Sequence, residues 1–366
     1  MKNFKTIPSI ILIAGASLFM GCKKEDDTNS SNNNQNNGNN NSTSITKTVY
    51  TCGTEGTSTG KSIAKYWYND EEVSLTDGSR DALAQAIWVD GNNVHVVGSH
   101  DESGSTLNIP TYWFNGEEIP LSSTSSAQDN ATDIFVANGH TYIVGYQYGP
   151  NYKYIAKLWI DGASATDLTD GTKDARATGV FVDGNDVYVC GYENLTASGS
   201  SVAKYWKNGV GVNLTDGTLD AEAAAIEVIG EDVYVSGSVK TSNGAYNMMV
   251  WINGVPQSTI ESTTETSGLD MDVEGADVYV VGPNDGAFVR TGYWKNGGFV
   301  TLLPAENFIA GQEIPFSIKV DGEDIYVAGV FGGSSNSSAG VYWINSIPHY
   351  VGSTTYRDAI YDIFVK

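Results

Sequence analysis

One pattern of about 45 residues recurs seven times between residue 49 and the end of the chain, and it constrains the fold more than any other feature. An aromatic pair before a turn reads KYWYND, TYWFNG, KLWIDG, KYWKNG, MVWING, GYWKNG and VYWINS, with tryptophans at Trp67, Trp113, Trp159, Trp206, Trp251, Trp294 and Trp343. A second element reads VYTCG, VHVVG, TYIVG, VYVCG, VYVSG, VYVVG and IYVAG. A third reads IWVDG, IFVANG, VFVDG, IEVIG, MDVEG, IKVDG and finally IFVK.

Each unit predicts four short strands. The third element is strand a, whose β-branched residues alternate with period two. A tight turn such as Asp183-Gly184 or Asp321-Gly322 leads into strand b, the DVYVxG element. A loop of variable length leads to strand c, AKYW. The pairs Asn115-Gly116, Asn208-Gly209, Asn253-Gly254 and Asn296-Gly297 then signal a hairpin into strand d, which ends at LTDG. Four antiparallel strands repeated at this period make the blade of a β-propeller.

The pattern opens at Val49-Tyr50 inside a strand b and stops at Ile363-Phe364-Val365 inside a strand a. The two fragments complement each other, so the expected fold is an all-β, seven-bladed propeller. Its seventh blade joins the C-terminal strand a to the N-terminal strands b, c and d, which removes open edges.

The strand order resembles that of kelch propellers. The unit is similar to the HAF-type repeat of exported bacterial proteins, through Ala177 to Val180, Val189 to Gly191, Ala203 to Gly209 and Leu214. That resemblance implies the fold and export, and no mechanism.

Residues 1–21 read as an export leader: Lys2 and Lys5 precede an apolar run from Ile10 to Met20, too short for a permanent span. The run ends in LFMGC, which resembles the bacterial lipoprotein signal; by that resemblance Cys22 is lipidated and becomes the new N-terminus. Phe19 and Met20 depart from that family's preference, and ordinary signal cleavage is the alternative. The following KKEDD resembles the acidic export signal of Bacteroidetes surface lipoproteins, implying an outer-membrane and surface location; a solvated charge run explains it equally. Residues 22–46 are rich in Asn and Ser and carry almost nothing to bury, so a disordered tether is expected before a propeller at 47–366.

The formal charge of −23, near −25 once Lys2 and Lys5 leave with the leader, excludes nucleic acid as a partner and leaves the lipid anchor as the contact with membrane. Cys52 and Cys190 share one strand-b column of small residues and read as buried hydrophobes in separate blades. Among the histidines, His95 replaces a repeat Tyr, His140 falls in a turn, His100 in a loop and His349 in an outer strand. These unlike positions offer no metal site or catalytic triad, and no cofactor is expected.

Carboxylates are the better lead. LTDGSRDA, LTDGTKDA and LTDGTLDA place Asp77, Asp170 and Asp216, with Asp81, Asp174 and Asp220, in loops on one face. They are weak Ca²⁺ candidates, because Asp-Gly beside Ser or Thr is ordinary turn chemistry. Before the first apolar residue of strand a the column reads Ala86, Asp133, Gly179, Ala225, Asp270, Ser317 and Asp362. With strand a innermost, Asp133, Asp270 and Asp362 ring the channel mouth, where neighbouring like charges would raise a pKa; a hydrated lining is the plainer reading. The loop QYGPNYKY adds Tyr146, Tyr148 and Tyr152, rigid aromatic area suited to glycan or protein contact.

Sialidase boxes, a nucleophile elbow, a P-loop and a haem motif are missing from the sequence. The expectation is therefore a monomeric surface lipoprotein, not an enzyme, that displays a propeller to a glycan or a surface protein. A glycan-active hydrolase or lyase using the channel carboxylates is the first alternative, and a structural subunit of an envelope complex the second.

Overall fold

The computed structural model describes residues 47–366 except 103–104, 106, 123–128, 163–164, 197–198, 262–269, 283–290, 303–312, 333–337 and 353–356. The leader, Cys22 and the tether lie outside the described residues. The described residues form seven four-stranded antiparallel sheets, each running a-b-c-d from the inside outwards. The seven strands a are Ala82–Asp90, Asn130–Ala137, Ala175–Asp183, Ala221–Ile229, Met271–Glu274, Glu313–Asp321 and Ala359–Val365, in blades 1 to 7. Successive strands a contact one another in an unbroken cycle, with blade 7 meeting blade 1, so they form the wall of a central channel.

Closure follows the sequence expectation. Strand a of blade 7 pairs antiparallel with Val49–Gly56, in the register Val49↔Val365, Tyr50↔Phe364 and Thr51↔Ile363. Ser62–Tyr68 and Glu71–Ser74 complete that blade. Residues from both ends of the described chain therefore share one sheet, and strand b of blade 7 is covered by a strand a as in the other six blades.

The core lies between blades. The strand-c tryptophans Trp113, Trp159, Trp251 and Trp343 are each at most 1% exposed. Trp159 packs with Ile134 and Ile143 of its own blade against Ala86, Val97 and Tyr112 of blade 1. Its Nε1 donates to Leu121 O at 3.0 Å, so a residue from the end of strand d satisfies the buried indole.

Turn chemistry explains the Asn-Gly pairs more fully than backbone freedom does. Asn208 and Gly209 have φ of 51° and 80°, the left-handed pair a two-residue hairpin requires. Asn208 Oδ1 also accepts the Val187 N–H of strand b at 2.9 Å, while its Nδ2 donates to Asp186 Oδ1 at 2.8 Å. Asn115, Asn253, Asn296 and Asn345 repeat the first bond, and Asp161 Oδ1 accepts from Thr141 N in the same way.

In blades 1, 2, 3, 4, 6 and 7 the Gly that ends the strand-b motif faces a β-bulge. Register slips between Ala84 and Ala86, Ala131 and Asp133, Ala177 and Gly179, Ala223 and Ala225, and Pro315 and Ser317. One strand-a residue is thus left over in each of these blades, and the strand bends in towards strand b. A Cβ on Gly145, Gly191 or Gly237 would stand 2.0–2.2 Å from the carbonyl oxygen of Asn130, Arg176 or Glu222 respectively. Only Gly admits that approach. These bulges set the residues of the channel mouth.

Candidate functional site in the channel

Among the described residues, cavities lie along the channel at each end. The one at the end carrying the d–a and b–c loops has a volume of about 340 Å³. The bulges and the residues just before them line it: Asn130, Thr132, Arg176, Thr178 and Glu222, joined by Tyr146 and Tyr192 from strands b. Arg176 carries the geometry. Its guanidinium lies 4.4 Å from the Tyr146 ring centre and 4.9 Å from that of Tyr154. Burial, opposed by Arg176 and aided by Asp220, pushes the Glu222 carboxyl above its ordinary range. Burial pushes the Tyr192 phenol up as well. Asn130 Oδ1 is buried without a hydrogen-bond partner in the same lining.

The loop tyrosines form an aromatic run from this cavity to the rim. Tyr146 stacks edge-on against Tyr154 at 5.4 Å, Tyr154 against Tyr148 at 5.2 Å, and Tyr148 against Tyr152 at 6.3 Å. Tyr146 lines the cavity, whereas Tyr148 and Tyr152 are 42% and 78% exposed.

Asp133, Asp270 and Asp362 stand one level below the mouth, and each joins neighbouring blades. Asp133 Oδ2 accepts Val180 N at 2.8 Å, Asp270 Oδ2 accepts Ile318 N at 2.9 Å, and Asp362 Oδ2 accepts Ile87 N at 2.8 Å. Their other oxygens take the N–H of Ile134, Met271 and Ile363. A strand that borders a channel presents amides with no strand partner, and these carboxyls satisfy them. Two residues further along strand a, Glu227 accepts Val273 N at 2.7 Å and Asp272 accepts Val320 N at 2.6 Å.

Asp270 and Asp362 converge on Ser317, whose Oγ lies 2.9 Å from Asp270 Oδ2 and 2.7 Å from Asp362 Oδ1. A hydroxyl has one hydrogen, so it donates to one carboxyl only. Both contacts are satisfied when the other carboxyl is protonated and donates to Oγ. Burial, then the charge of Asp362, pushes Asp270 up to about 7. Burial likewise raises Asp133 well above the carboxylate range and raises Asp362.

The Asp-Gly loop residues are engaged locally. Asp77 Oδ1 accepts Ser79 N at 2.9 Å; Asp170 and Asp216 Oδ1 accept both the N–H and the hydroxyl of Thr172 and Thr218. Among the described residues no group of three or more His, Cys, Asp or Glu is placed to hold a metal ion. Asp81, Asp174 and Asp220 each accept the N–H of a strand-c residue, Ser62, Tyr154 and Ser201.

Cys52 and Cys190 are free and fully buried. His95 is 5% exposed with Nδ1 2.7 Å from the Tyr112 hydroxyl. His100 is corrected from a loop to strand b of blade 1 (Asn93–Asp101), 2% exposed, with Arg80 and Glu118 beside its ring.

Sequence reasoning missed Arg176, Glu222, Tyr192 and Asn130. Arg176, Glu222 and Asn130 sit three positions before the aspartate column, where the repeats share no residue type.

No protein-family model and no curated protein matches the chain. Among solved structures, a puromycin-hydrolysing peptidase of Mycobacterium tuberculosis aligns over 84% of this chain at 13% identity and a TM-score of 0.54. A puromycin hydrolase aligns over 84% at 12% identity and 0.55. The chain covers 52% of each of those two, about half their length. The β-propeller domain of the Trilobed protease from Pyrococcus furiosus aligns over 84% of this chain and 95% of its own length, at 8% identity and 0.49. At such identities the likeness shows the fold alone. The expectation that the chain is not an enzyme is nonetheless corrected: it rested on motifs that the sequence lacks, whereas solved chains of like fold are described as a puromycin-hydrolysing peptidase and a puromycin hydrolase.

Proposed function

We propose that the chain is an exported, lipid-anchored propeller that binds a glycan in the mouth of its channel. The observation that carries this reading is the Arg176 guanidinium held over Tyr146 and Tyr154 in a cavity also lined by Tyr192, Glu222 and Asn130. A sugar presents hydroxyls at its edge and C–H groups on its face. It therefore asks for aromatic surface together with a few fixed donors and acceptors. The buried Asn130 Oδ1 supplies an acceptor that a hydroxyl would satisfy. The Tyr148–Tyr152 run extends the same surface to the rim for a chain longer than one sugar.

The cell-envelope location rests on the leader, on Cys22 as the lipidated residue and on the Asn/Ser tract as a tether, with residues 47–366 as the propeller. The repeat's likeness to kelch and HAF-type units supports export.

Turnover at the same mouth is the second reading, favoured by two raised carboxyls, Glu222 and Asp270, in one lining. A carboxyl moved towards neutral pH can both give and take a proton, which glycosidic or amide hydrolysis asks for. The hydrolytic activity of the structural neighbours supports it to the extent of the shared fold.

The test is a glycan panel scored for both retention and cleavage, with puromycin and peptide amides added to the cleavage arm, on the wild-type chain and on Glu222→Gln and Arg176→Ala. Glycan retention that Arg176→Ala lowers at least tenfold supports binding at the mouth. Cleavage that Glu222→Gln abolishes while retention persists selects the hydrolase. Retention unchanged in both variants overturns the assignment of the site.

A further inference from the structure

The second cavity lies at the a–b turn end of the channel and has a volume of about 250 Å³. One column of strand a sets its lining: the middle position of the I-x-V motif. In blades 7, 1, 2 and 3 this position holds Phe364, Trp88, Phe135 and Phe181. In blades 4, 5 and 6 it holds Glu227, Asp272 and Lys319. The four rings follow one another around the wall, with centres 5.0 Å apart for Phe364 and Trp88, 4.4 Å for Trp88 and Phe135, and 4.8 Å for Phe135 and Phe181. All four are only half-buried. An aromatic arc spanning four blades thus faces a charged sector spanning three.

Carboxyl groups outnumber bases in that lining. Lys319 is the one basic residue in the described lining, and it pairs with Asp272. Glu227 is left with the backbone N–H of Val273, and Asp133, Asp270 and Asp362 stand in the same lining.

We propose that this cavity binds a small organic cation of the alkylammonium class, its apolar substituents against the aromatic arc and its charge towards Glu227. Ring faces attract a diffuse cation through their quadrupole, and several rings around one centre add this attraction without any coordinating bond. A metal ion fits less well, because the carboxyl oxygens it would need already accept the N–H groups of Ile87, Val180, Val273, Ile318 and Val320. A neutral apolar occupant would bury the Glu227 carboxyl further and give it no polar partner. An anion would find only Lys319, which Asp272 already pairs.

The protonation of Glu227 gives the site a pH signature. Burial, then the charge of Asp272, pushes its carboxyl up to about 8, against the opposing pull of Lys319, with Asp270 adding to the rise. A cation favours the ionised form, so affinity rises with pH through that value and binding at neutral pH releases a proton.

Calorimetric titration of the purified chain with choline chloride and tetramethylammonium chloride, at pH 6 and pH 9, tests this. The neutral choline analogue 3,3-dimethylbutan-1-ol and calcium chloride serve as comparisons. The expected result is choline binding that is stronger at pH 9, with the alcohol weaker by about tenfold. Glu227→Gln, which keeps an acceptor for the Val273 N–H, should weaken choline about tenfold and remove most of the pH dependence; Trp88→Leu should weaken it by a similar factor. If Trp88→Leu loses its folded near-ultraviolet circular dichroism, the Glu227→Gln result decides alone. No heat from either ammonium ion at both pH values, equal binding of the alcohol, calcium binding with no choline binding, or an unaffected Glu227→Gln variant overturns the proposal.

Discussion

Asp362, in the last strand of the chain, accepts the backbone N–H of Ile87 across 2.8 Å and so ties together residues 275 positions apart. Its second oxygen takes the Ile363 N–H at 2.8 Å and meets Ser317 Oγ at 2.7 Å. Replacing it by Ala strands donors at the seam between blades 7 and 1, and an unsatisfied buried donor costs about 1–3 kcal/mol. Asp362→Ala should therefore lower the urea-unfolding free energy by about 2–3 kcal/mol, and Asp362→Asn, which keeps one acceptor, by less. A wild-type midpoint for Asp362→Ala would mean that the seam is held by packing alone.

Asp270 provides a pH test with a definite sign. Its folded-state value of about 7 lies above the ordinary carboxyl range near 4, so the native chain binds a proton that the unfolded chain has lost between those two values. The associated stability is fully present below about pH 4 and is lost as pH rises through about 7. Wild type should thus melt at a higher temperature at pH 5 than at pH 8. Asp270→Asn, with no proton to lose, should narrow that difference. The net charge of −23 also favours lower pH, but it acts almost equally on both proteins, so the gap between them isolates Asp270. Parallel wild-type and variant curves would sink the assignment.

The strand plan, the count of blades and the closure could be read from the sequence because a propeller repeats one local solution. Trp159 and Trp343 face the same inter-blade environment, so the same residue type recurs at a fixed period. Asp133, Asp270 and Asp362 could be found by the opposite logic, as departures within a column of small residues. Their role could not: an isolated carboxyl in a sequence does not reveal that an amide of the next blade stands 2.8 Å away. Arg176 and Glu222 stayed hidden because the bulge, not side-chain periodicity, turns them towards the channel. The aromatic-to-charged switch at Glu227, Asp272 and Lys319 was visible in IEVIG, MDVEG and IKVDG, but it gains meaning only once strand a is known to be innermost.

Gly237 tests the link between bulge and mouth. An added Cβ would stand 2.2 Å from Glu222 O and 2.9 Å from Ala223 Cα, both backbone atoms that cannot swing aside. Overpacking of this kind costs about 1–3 kcal/mol, so Gly237→Ala should destabilise the chain by about that amount. It should also weaken any ligand held at the mouth, because relief requires Glu222 to move. Gly230→Ala is the control: Gly230 sits in the a–b turn of the same blade, where nothing lies within 4 Å of an added Cβ. Its φ of 64° makes that change cost about 1 kcal/mol, with no effect expected at the mouth. Equal loss of mouth binding in both variants would show that the bulge does not position Glu222.

Ring closure itself is open to dissection. Strand a of blade 7 is held to Val49–Gly56 along its length, and beyond its end Thr48 and Lys366 exchange backbone hydrogen bonds of 2.7 and 3.0 Å. Deleting residues 359–366 removes this strand with its Asp362 and exposes the amides of Val49–Gly56 as an unpaired inner edge. The shortened chain should melt at lower temperature, over a broader range, and associate in a concentration-dependent manner. A synthetic peptide spanning 357–366, added in trans, should restore the sharp transition, because strand addition supplies both the ladder and the carboxyl for Ile87. The same peptide with Asp362→Ala should restore it less. A deletion that melts like the full chain, or a peptide without effect at concentrations well above that of the protein, would show that six blades hold the ring without the seventh being complete.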